Sequence, residues 1–405
     1  EIAQCLVGSE MCIRDRGKLY YFNPDTEMAI ANGSPYYTPP ANIVRMADEL
    51  AYLPAYFSEQ GDGIWMKQRP SPDFLASRLK IFNLSPSIFT DQETIPPDLK
   101  QEPWGWSPRM ASLLQTDRWK PEDKEHYSRK VALDCLIHLR HVLPFVEASV
   151  FPTVCASLEE ITAVLREQKD YLVKAPWSSS GKGLLKIRGG EVNAKSREWI
   201  GGILDRQGYI MLEEFLDKEC DFAMEFYAEK GKVRFLGLSL FYSGKKGEYK
   251  GNYIGGQEKI EQKLLSYLDE SSFAMLKRQL ESVLETHIGP VYEGYFGVDM
   301  MIYRQGEGVY KIHPCVEINL RYTMGILALF LSQRYVLKNT EGVFMLSYLP
   351  AEKAAWRRQF QLARDFPLCL ESGKIKSGYI ALTPVDPDTK FIADIQLTAP
   401  AASKF

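Results

Sequence analysis

Residues 172–185 read Leu172-Val173-Lys174-Ala175-Pro176-Trp177-Ser178-Ser179-Ser180-Gly181-Lys182-Gly183-Leu184-Leu185. Apolar runs on either side predict two strands, Tyr171 to Ala175 and Gly183 to Arg188, joined by a loop of small residues. A lysine projecting from a strand before such a loop suits a triphosphate, because the ammonium supplies a point charge and the loop N–H groups cradle oxygens. A P-loop is excluded: its glycine-rich turn must open a helix, Pro176 stands where its first glycine belongs, and Gly183 replaces its Ser/Thr. Protein-kinase motifs are absent too, since there is no H-R-D and Asp221-Phe222 is followed by Ala223. A plain Ser/Gly hairpin loop would look the same, so the loop needs company before it means anything.

That company lies downstream and in order. Met211-Leu212-Glu213-Glu214-Phe215-Leu216 ends one strand and Glu219-Cys220-Asp221-Phe222 opens the next. Further on come Gly297-Val298-Asp299-Met300-Met301 and Val316-Glu317-Ile318-Asn319-Leu320-Arg321. Glu317 and Asn319 are two apart on one strand and share a face. With an acid from a neighbouring strand they suit Mg²⁺, which takes few protein ligands and leaves its other positions to phosphate and water. Arg321 lies on the same face, where a guanidinium can meet a transferring phosphoryl group. A two-residue turn at Gly306-Glu307 would pair Asp299 with Pro314, so a longer turn or a bulge near His313-Pro314 is required to bring Asp299 opposite Glu317. Each acid taken singly reads equally as a solvated strand carboxylate. His313 reads as structural, and Met300, Met301 and Phe330 as core.

In these ordered motifs residues 117–335 resemble the ATP-grasp superfamily. The resemblance implies two α+β subdomains with a nucleotide between them, and a reaction in which ATP converts a carboxylate to an acyl phosphate that an amine or similar nucleophile attacks. It implies Lys174 on the α/β-phosphates, the loop Ser178, Ser179, Ser180, Gly181, Lys182 and Gly183 over the γ-phosphate, and Glu213 with the backbone of Glu214, Phe215 and Leu216 at the adenine. Glu219 or Asp221 would meet the ribose, and Asp299, Glu317 and Asn319 the metal. Lys130 matches an earlier family lysine, with Arg129 an equally available cation, and Lys250 is a weaker match to a phosphate contact. Arg321 and Lys174 would carry the catalytic charge. The expected cofactors are ATP and one or two Mg²⁺ ions, with Mn²⁺ an alternative, and the expected partners a small carboxylic acid and an amine-like acceptor. A kinase of the same fold and a non-catalytic nucleotide-binding module remain the rival readings.

Around this core the pattern predicts an α/β and α+β chain. Residues 18–105 read as a parallel α/β domain: a strand at Leu19 to Phe22, a long polar loop, a helix after Pro39-Pro40, a strand at Gly63 to Met66, a helix at Asp73 to Ile81 and a strand at Ser87 to Thr90. Asp91 to Trp106, with three prolines and two tryptophans, reads as a linker. The loop after the first strand carries Asn23, Asp25, Glu27 and Asn32 where open α/β sheets bind ligands, a substrate region or merely a polar connection. One long helix is expected from Glu122 to Val142 and another from Glu258 to about Thr286. Antiparallel strands with one wet face are expected between Tyr209 and Tyr242. Residues 338–405 read as an extension with a helix at Ala351 to Arg364 and a hairpin around Pro384 to Pro387.

Composition narrows the classes. The 405 residues suit two or three domains, and 45% hydrophobic with 25% charged residues describe an ordinary globular chain. With 49 basic against 52 acidic side chains there is no global field for nucleic acid or anionic lipid. The longest strongly apolar run, Met324 to Leu331, is far short of the roughly 20 residues that span a bilayer. Seven scattered cysteines without a C-x-x-C pair argue against zinc and a disulfide framework, and point to a reducing, cytoplasmic setting. Oligomeric state is left open. The first 17 residues are set apart: VGSEMCIRDR resembles read-through from a sequencing adapter, a disordered native tail being the alternative.

Overall fold

The structure is a computed structural model and describes residues 17–178, 181, 183–244 and 247–398. Residues 1–16, and with them the foreign-looking head, lie outside the described residues.

Four short strands, β1 (Lys18–Tyr21), β2 (Gly63–Trp65), β3 (Ser87–Phe89) and β4 (Lys100–Pro103), form an all-parallel sheet in the order β3-β2-β1-β4. The parallel α/β expectation therefore holds, with two differences. The polar loop after β1 contains a helix, Thr26–Asn32, ended by Gly33 at φ 77°. Its turn-rich composition hides the helix because only Ala29 and Ile30 supply a deeply buried apolar face. The expected linker 91–106 contributes β4, which pairs with β1 from Lys18↔Lys100 to Tyr21↔Pro103. Lys-Gln-Glu-Pro carries no strand propensity, and its place at the sheet edge explains why a proline is tolerated.

A second sheet orders β5 (Thr153–Cys155), β8 (Ile210–Glu214), β6 (Tyr171–Lys174) and β7 (Leu184–Ile187), all antiparallel. The helices Leu158–Leu165 and Ala194–Gln207 bury Ile161, Leu165, Ile200 and Ile203 against its face. Ser157 caps the first by accepting from the Glu160 N–H at 3.2 Å.

The third sheet has nine strands. It runs β13 (Val309–Asn319), β12 (Gly294–Gly306), β9 (Asp217–Glu229), β10 (Lys232–Ser243), β11 (Tyr249–Ile254), β14 (Glu341–Tyr348), β17 (Phe391–Thr398), β16 (Lys374–Ala381) and β15 (Cys369–Glu371). The segment after residue 338 thus continues this central sheet, with its helix at Ala354–Asp365. One face is closed by helices: Phe222, Met224 and Phe226 of β9 and Phe296, Val298 and Met300 of β12 share a core with Leu136 and Leu139 of helix Arg129–Val142 and Leu276 and Leu280 of helix Glu270–His287. The stretches expected as single long helices are each broken. Pro121–Tyr127 is a 3₁₀ segment ahead of Arg129, and Asp269 caps a new helix after Gln257–Leu265 by accepting from Ser272 N–H at 2.8 Å. Local capping chemistry outweighed the continuous helical spacing.

Helix Met324–Tyr335 ties the parts together. Gly325 through Leu331 are all buried, so it is apolar around its circumference and must be enclosed. It shares one core with Tyr52, Tyr56 and Phe57 of the N-terminal part and with Phe344, Ile375 and Ile395 of the C-terminal strands. Tyr56 reinforces this by donating to the Leu382 carbonyl at 2.6 Å. No helix among the described residues is long and apolar enough to cross a membrane.

Candidate active site

Strand alternation decides which side chains are left for chemistry. On β9 and β12 the even-numbered residues feed the helix-covered core, so Asp221, Ala223, Glu225, Gly297, Asp299 and Met301 point to the opposite face. Antiparallel pairing then assembles rows across three strands: Glu225–Gly297–Asn319, Ala223–Asp299–Glu317 and Asp221–Met301–His313. The register shifts between Asp299 and Met301, so that Asp299 faces Glu317 while Met301 faces His313. This is the irregularity that the spacing near His313-Pro314 demands.

Asn319 donates to Asp299 Oδ2 at 3.1 Å and accepts from Arg321 Nη2 at 3.1 Å. Arg321 Nε donates to Glu27, in the first turn of the helix Thr26–Asn32. Arg129 Nη2 lies 3.0 Å from Glu317 Oε1 and donates to Ser178 Oγ at 3.4 Å, while its Nε donates to the Ala175 carbonyl at 3.1 Å. Thr26, Glu27, Tyr127, Ser178, Glu317 and Arg321 line one narrow cleft. It draws on all three sheets: the N-terminal helix, the loop after β6 and the end of β13.

Lys174, only 4% exposed, is at the end of β6 and meets Glu213 Oε2 at 2.5 Å. Leu172 pairs with Glu213, so Lys174 is two residues along on the same face and reaches back diagonally. Gly183 is required for the loop to fold as it does, because a Cβ there would lie 2.2 Å from the Ser178 side chain. Gly181 has φ +74°, the left-handed region that glycine enters at low cost. Ser179, Ser180 and Lys182, expected over the γ-phosphate, lie outside the described residues.

The other expected site residues have the following places. Lys130 turns away and sits 3.8 Å from the Tyr209 ring centroid; its neighbour Arg129 is the cation that faces Glu317. Glu214 pairs with Lys169 at 2.7 Å, and Phe215 is exposed beneath Lys186. Leu216 packs at the edge of the helix-covered core. Glu219 pairs with Arg304 at 2.7 Å and Asp221 with Lys218 at 2.5 Å. Lys250 is on β11, half exposed and 3.1 Å from Glu248. In the expected substrate region Asn23 is a clamp, donating to Gly105 O at 2.8 Å, and Asp25 is buried against Arg109 at 3.4 Å. Asn32 is exposed and accepts from Ser34 N–H. Of that loop it is Glu27 that enters the cleft.

Burial and like charge act together at the acids. Burial first, then the neighbouring Glu317 and Glu225 charges, hold the Asp299 carboxyl well above the usual carboxylate range. Glu225 is wholly buried behind it, pushed up to about 7 by desolvation despite accepting from Ser239 Oγ at 2.7 Å and Thr323 Oγ1 at 3.0 Å. Its only signal in the sequence is a glutamate inside the apolar run Phe222 to Tyr227. Burial opposes the Arg321 charge, but Glu27, Glu317 and Asp299 outweigh it and raise its pKa above the ordinary value. Among the described residues no group of three His, Cys, Asp or Glu side chains is placed to hold a metal alone. Two carboxylates and a carboxamide, one carboxylate destabilised as an anion, do fit Mg²⁺ that completes its shell with phosphate oxygens and water.

A parallel α/β sheet followed by two antiparallel sheets is the fold this chain shares with solved ATP-grasp structures. Phosphoribosylamine–glycine ligase from Thermotoga maritima superposes with a TM-score of 0.51 at 11% identity, over 96% of this chain and 93% of that one. N5-carboxyaminoimidazole synthetase from Staphylococcus aureus, complexed with ADP, gives 0.48 at 12% identity over 94% and 93%. Biotin carboxylase from Campylobacter jejuni, as a β-γ-ATP complex, gives 0.45 at 12% identity over 95% and 88%. No family model matches the chain, and no curated protein matches it.

Proposed function

We propose that the protein is an ATP- and Mg²⁺-dependent ligase that activates a carboxylic acid as an acyl phosphate and joins it to an amine or similar nucleophile, forming a carbon–nitrogen bond. The observation that carries this reading is the chain of contacts in which Arg129 joins Glu317 of the large sheet to Ala175 and Ser178 just after Lys174, while Asn319 joins Asp299 to Arg321, with no nucleophilic Ser or Cys dyad needed. Phosphoryl transfer asks for positioning and charge stabilisation, and these residues supply both. Lys174 and Arg129 receive the phosphates, exchanging Glu213 and Glu317 for the triphosphate. Asp299, Glu317 and Asn319 hold the metal, which when bound neutralises phosphate charge. Arg321 orients the acid.

The bonds balance simply. A carboxylate oxygen attacks the γ-phosphorus and ADP leaves; the amine nitrogen then attacks the acyl carbon, phosphate leaves, and the amine proton passes to a base. Glu27 is the carboxylate nearest Arg321 from the N-terminal part and is suited to that proton or to the ammonium of the acceptor. Incubation with ATP, Mg²⁺, a panel of carboxylic acids and hydroxylamine should yield a hydroxamate with at least one acid. ATP binding without hydroxamate across a broad panel would refute the ligase reading.

A further inference from the structure

His313 is 2% exposed, and neither ring nitrogen has a hydrogen-bond partner among the described residues. Buried imidazoles almost always bond at least one nitrogen, since leaving a polar group dry forfeits its hydration with no return. Two orphaned nitrogens on one ring therefore call for an explanation. The position offers one. Asp299 and Met301 share a face of β12, and His313 stands opposite Met301, so the imidazole is on the same face as Asp299 and Glu317, one row nearer Asp221. Ile312 beside it points the other way, into the helix-covered core. Burial, and after it the Lys174 charge arriving from the second sheet, hold the ring well below its usual pKa and hence neutral. His313 is thus buried on the face of the large sheet that carries Asp299 and Glu317, near enough to Lys174 to feel its charge.

We infer that His313 is a nucleotide-contacting residue, hydrogen-bonded through its two ring nitrogens to the uncharged part of the nucleotide, the purine edge or a ribose hydroxyl. The inference rests on the ATP-binding reading above. A neutral imidazole offers one N–H donor and one acceptor, the complement of a purine edge, which also presents both. It adds no charge for a phosphate, which Lys174 and Arg129 already serve. Its row, ending at Asp221, lies one row further along the sheet than Asp299 and Glu317, the acids assigned to the metal and polyphosphate. The two orphaned atoms are the unmet half of a contact that nucleotide completes.

The test compares wild type with His313→Leu and His313→Asn, titrating each by calorimetry with Mg-ATP and with Mg-tripolyphosphate. Leucine removes two dry polar atoms, so the free variant should melt at or above the wild-type temperature, which guards against misfolding as the explanation. The inference expects Mg-ATP affinity to fall about tenfold or more in the leucine variant, with partial recovery in the asparagine variant and tripolyphosphate affinity within twofold of wild type. Equal Mg-ATP affinity in wild type and the leucine variant would overturn it and make His313 structural. So would an equal loss for ATP and tripolyphosphate, which would place the ring at the phosphates. Failure of the wild type itself to bind Mg-ATP would instead refute the nucleotide reading on which this one stands.

Discussion

Replacing Glu225 by glutamine separates the cost of a buried charge from the hydrogen bonds that accompany it. In the folded chain this carboxyl titrates near 7 against an ordinary value of 4.5. Its folded pKa is raised, so its contribution to stability is fully present below the unfolded value and is lost as pH rises through the folded value. Between about pH 4.5 and 7 the folded state keeps a proton that the unfolded chain has released, and stability falls by about 1.4 kcal/mol per pH unit. The whole window amounts to about 3 kcal/mol, or about 4 °C of melting temperature if the chain unfolds as one unit. Glutamine cannot ionise, so the variant should be spared that loss. Its amide must donate where the carboxylate accepts, but Ser239 and Thr323 hydroxyls can accept in return, and whatever that exchange costs is the same at every pH. The quantity to measure is therefore the melting-temperature difference between variant and wild type at pH 5 and again at pH 8. Because pH 5 already lies inside the window, about 2.5 kcal/mol separates the two conditions, and the difference should move by about 3 °C in favour of the variant. A difference that is the same at both pH values would show that Glu225 does not change its protonation in this window, and would undo the account of the acids behind the cleft.

Gly325→Ala tests the same packing by force: its Cβ would lie 1.9 Å from Glu225 Oε1 and 2.4 Å from Ser239 Oγ, so urea unfolding should show a loss of about 2 kcal/mol or more. Arg129→Met should weaken Mg-ATP binding about tenfold or more in calorimetry if, as proposed, its charge receives the phosphates, whereas Lys130→Met, removed from the cleft, should stay within about twofold. Glu27→Gln frees Arg321 from its ion pair, so the KM for the carboxylic acid should fall in hydroxamate assays while coupling to a true amine acceptor slows.

Much of the site was written in the order of the chain. Lys174 before its small-residue loop, and Glu317-x-Asn319 on one strand, point to the fold and the face because strand geometry fixes which residues share a side, whereas Arg321 lies just past the strand's end. Neighbours in sequence were harder to tell apart. Arg129 and Lys130 are both cations at the start of a helix, and only the helix's rotation against β13 sends the first to Glu317 and the second to Tyr209. The N-terminal loop was legible as polar, but whether Asn23, Asp25 or Glu27 faces the cleft depends on a two-turn helix whose weak apolar pattern gives it no local signal.

The sequence by itself determined the parallel start, the antiparallel middle and the strand that carries the acid and the amide, since hydrophobic alternation and residue spacing are properties of a chain before it folds. Only the tertiary structure decided which partner each of those residues meets. Asp299 reaches Glu317 through a register shift, Glu225 is silent in sequence yet strongly perturbed once enclosed, and His313, which reads as structural, turns out to lie buried on the acid-bearing face with both nitrogens unmet. The physical reason is common to all three: periodicity sets the face on which a side chain lies, whereas burial, charge and hydrogen bonding depend on what a second sheet brings against that face.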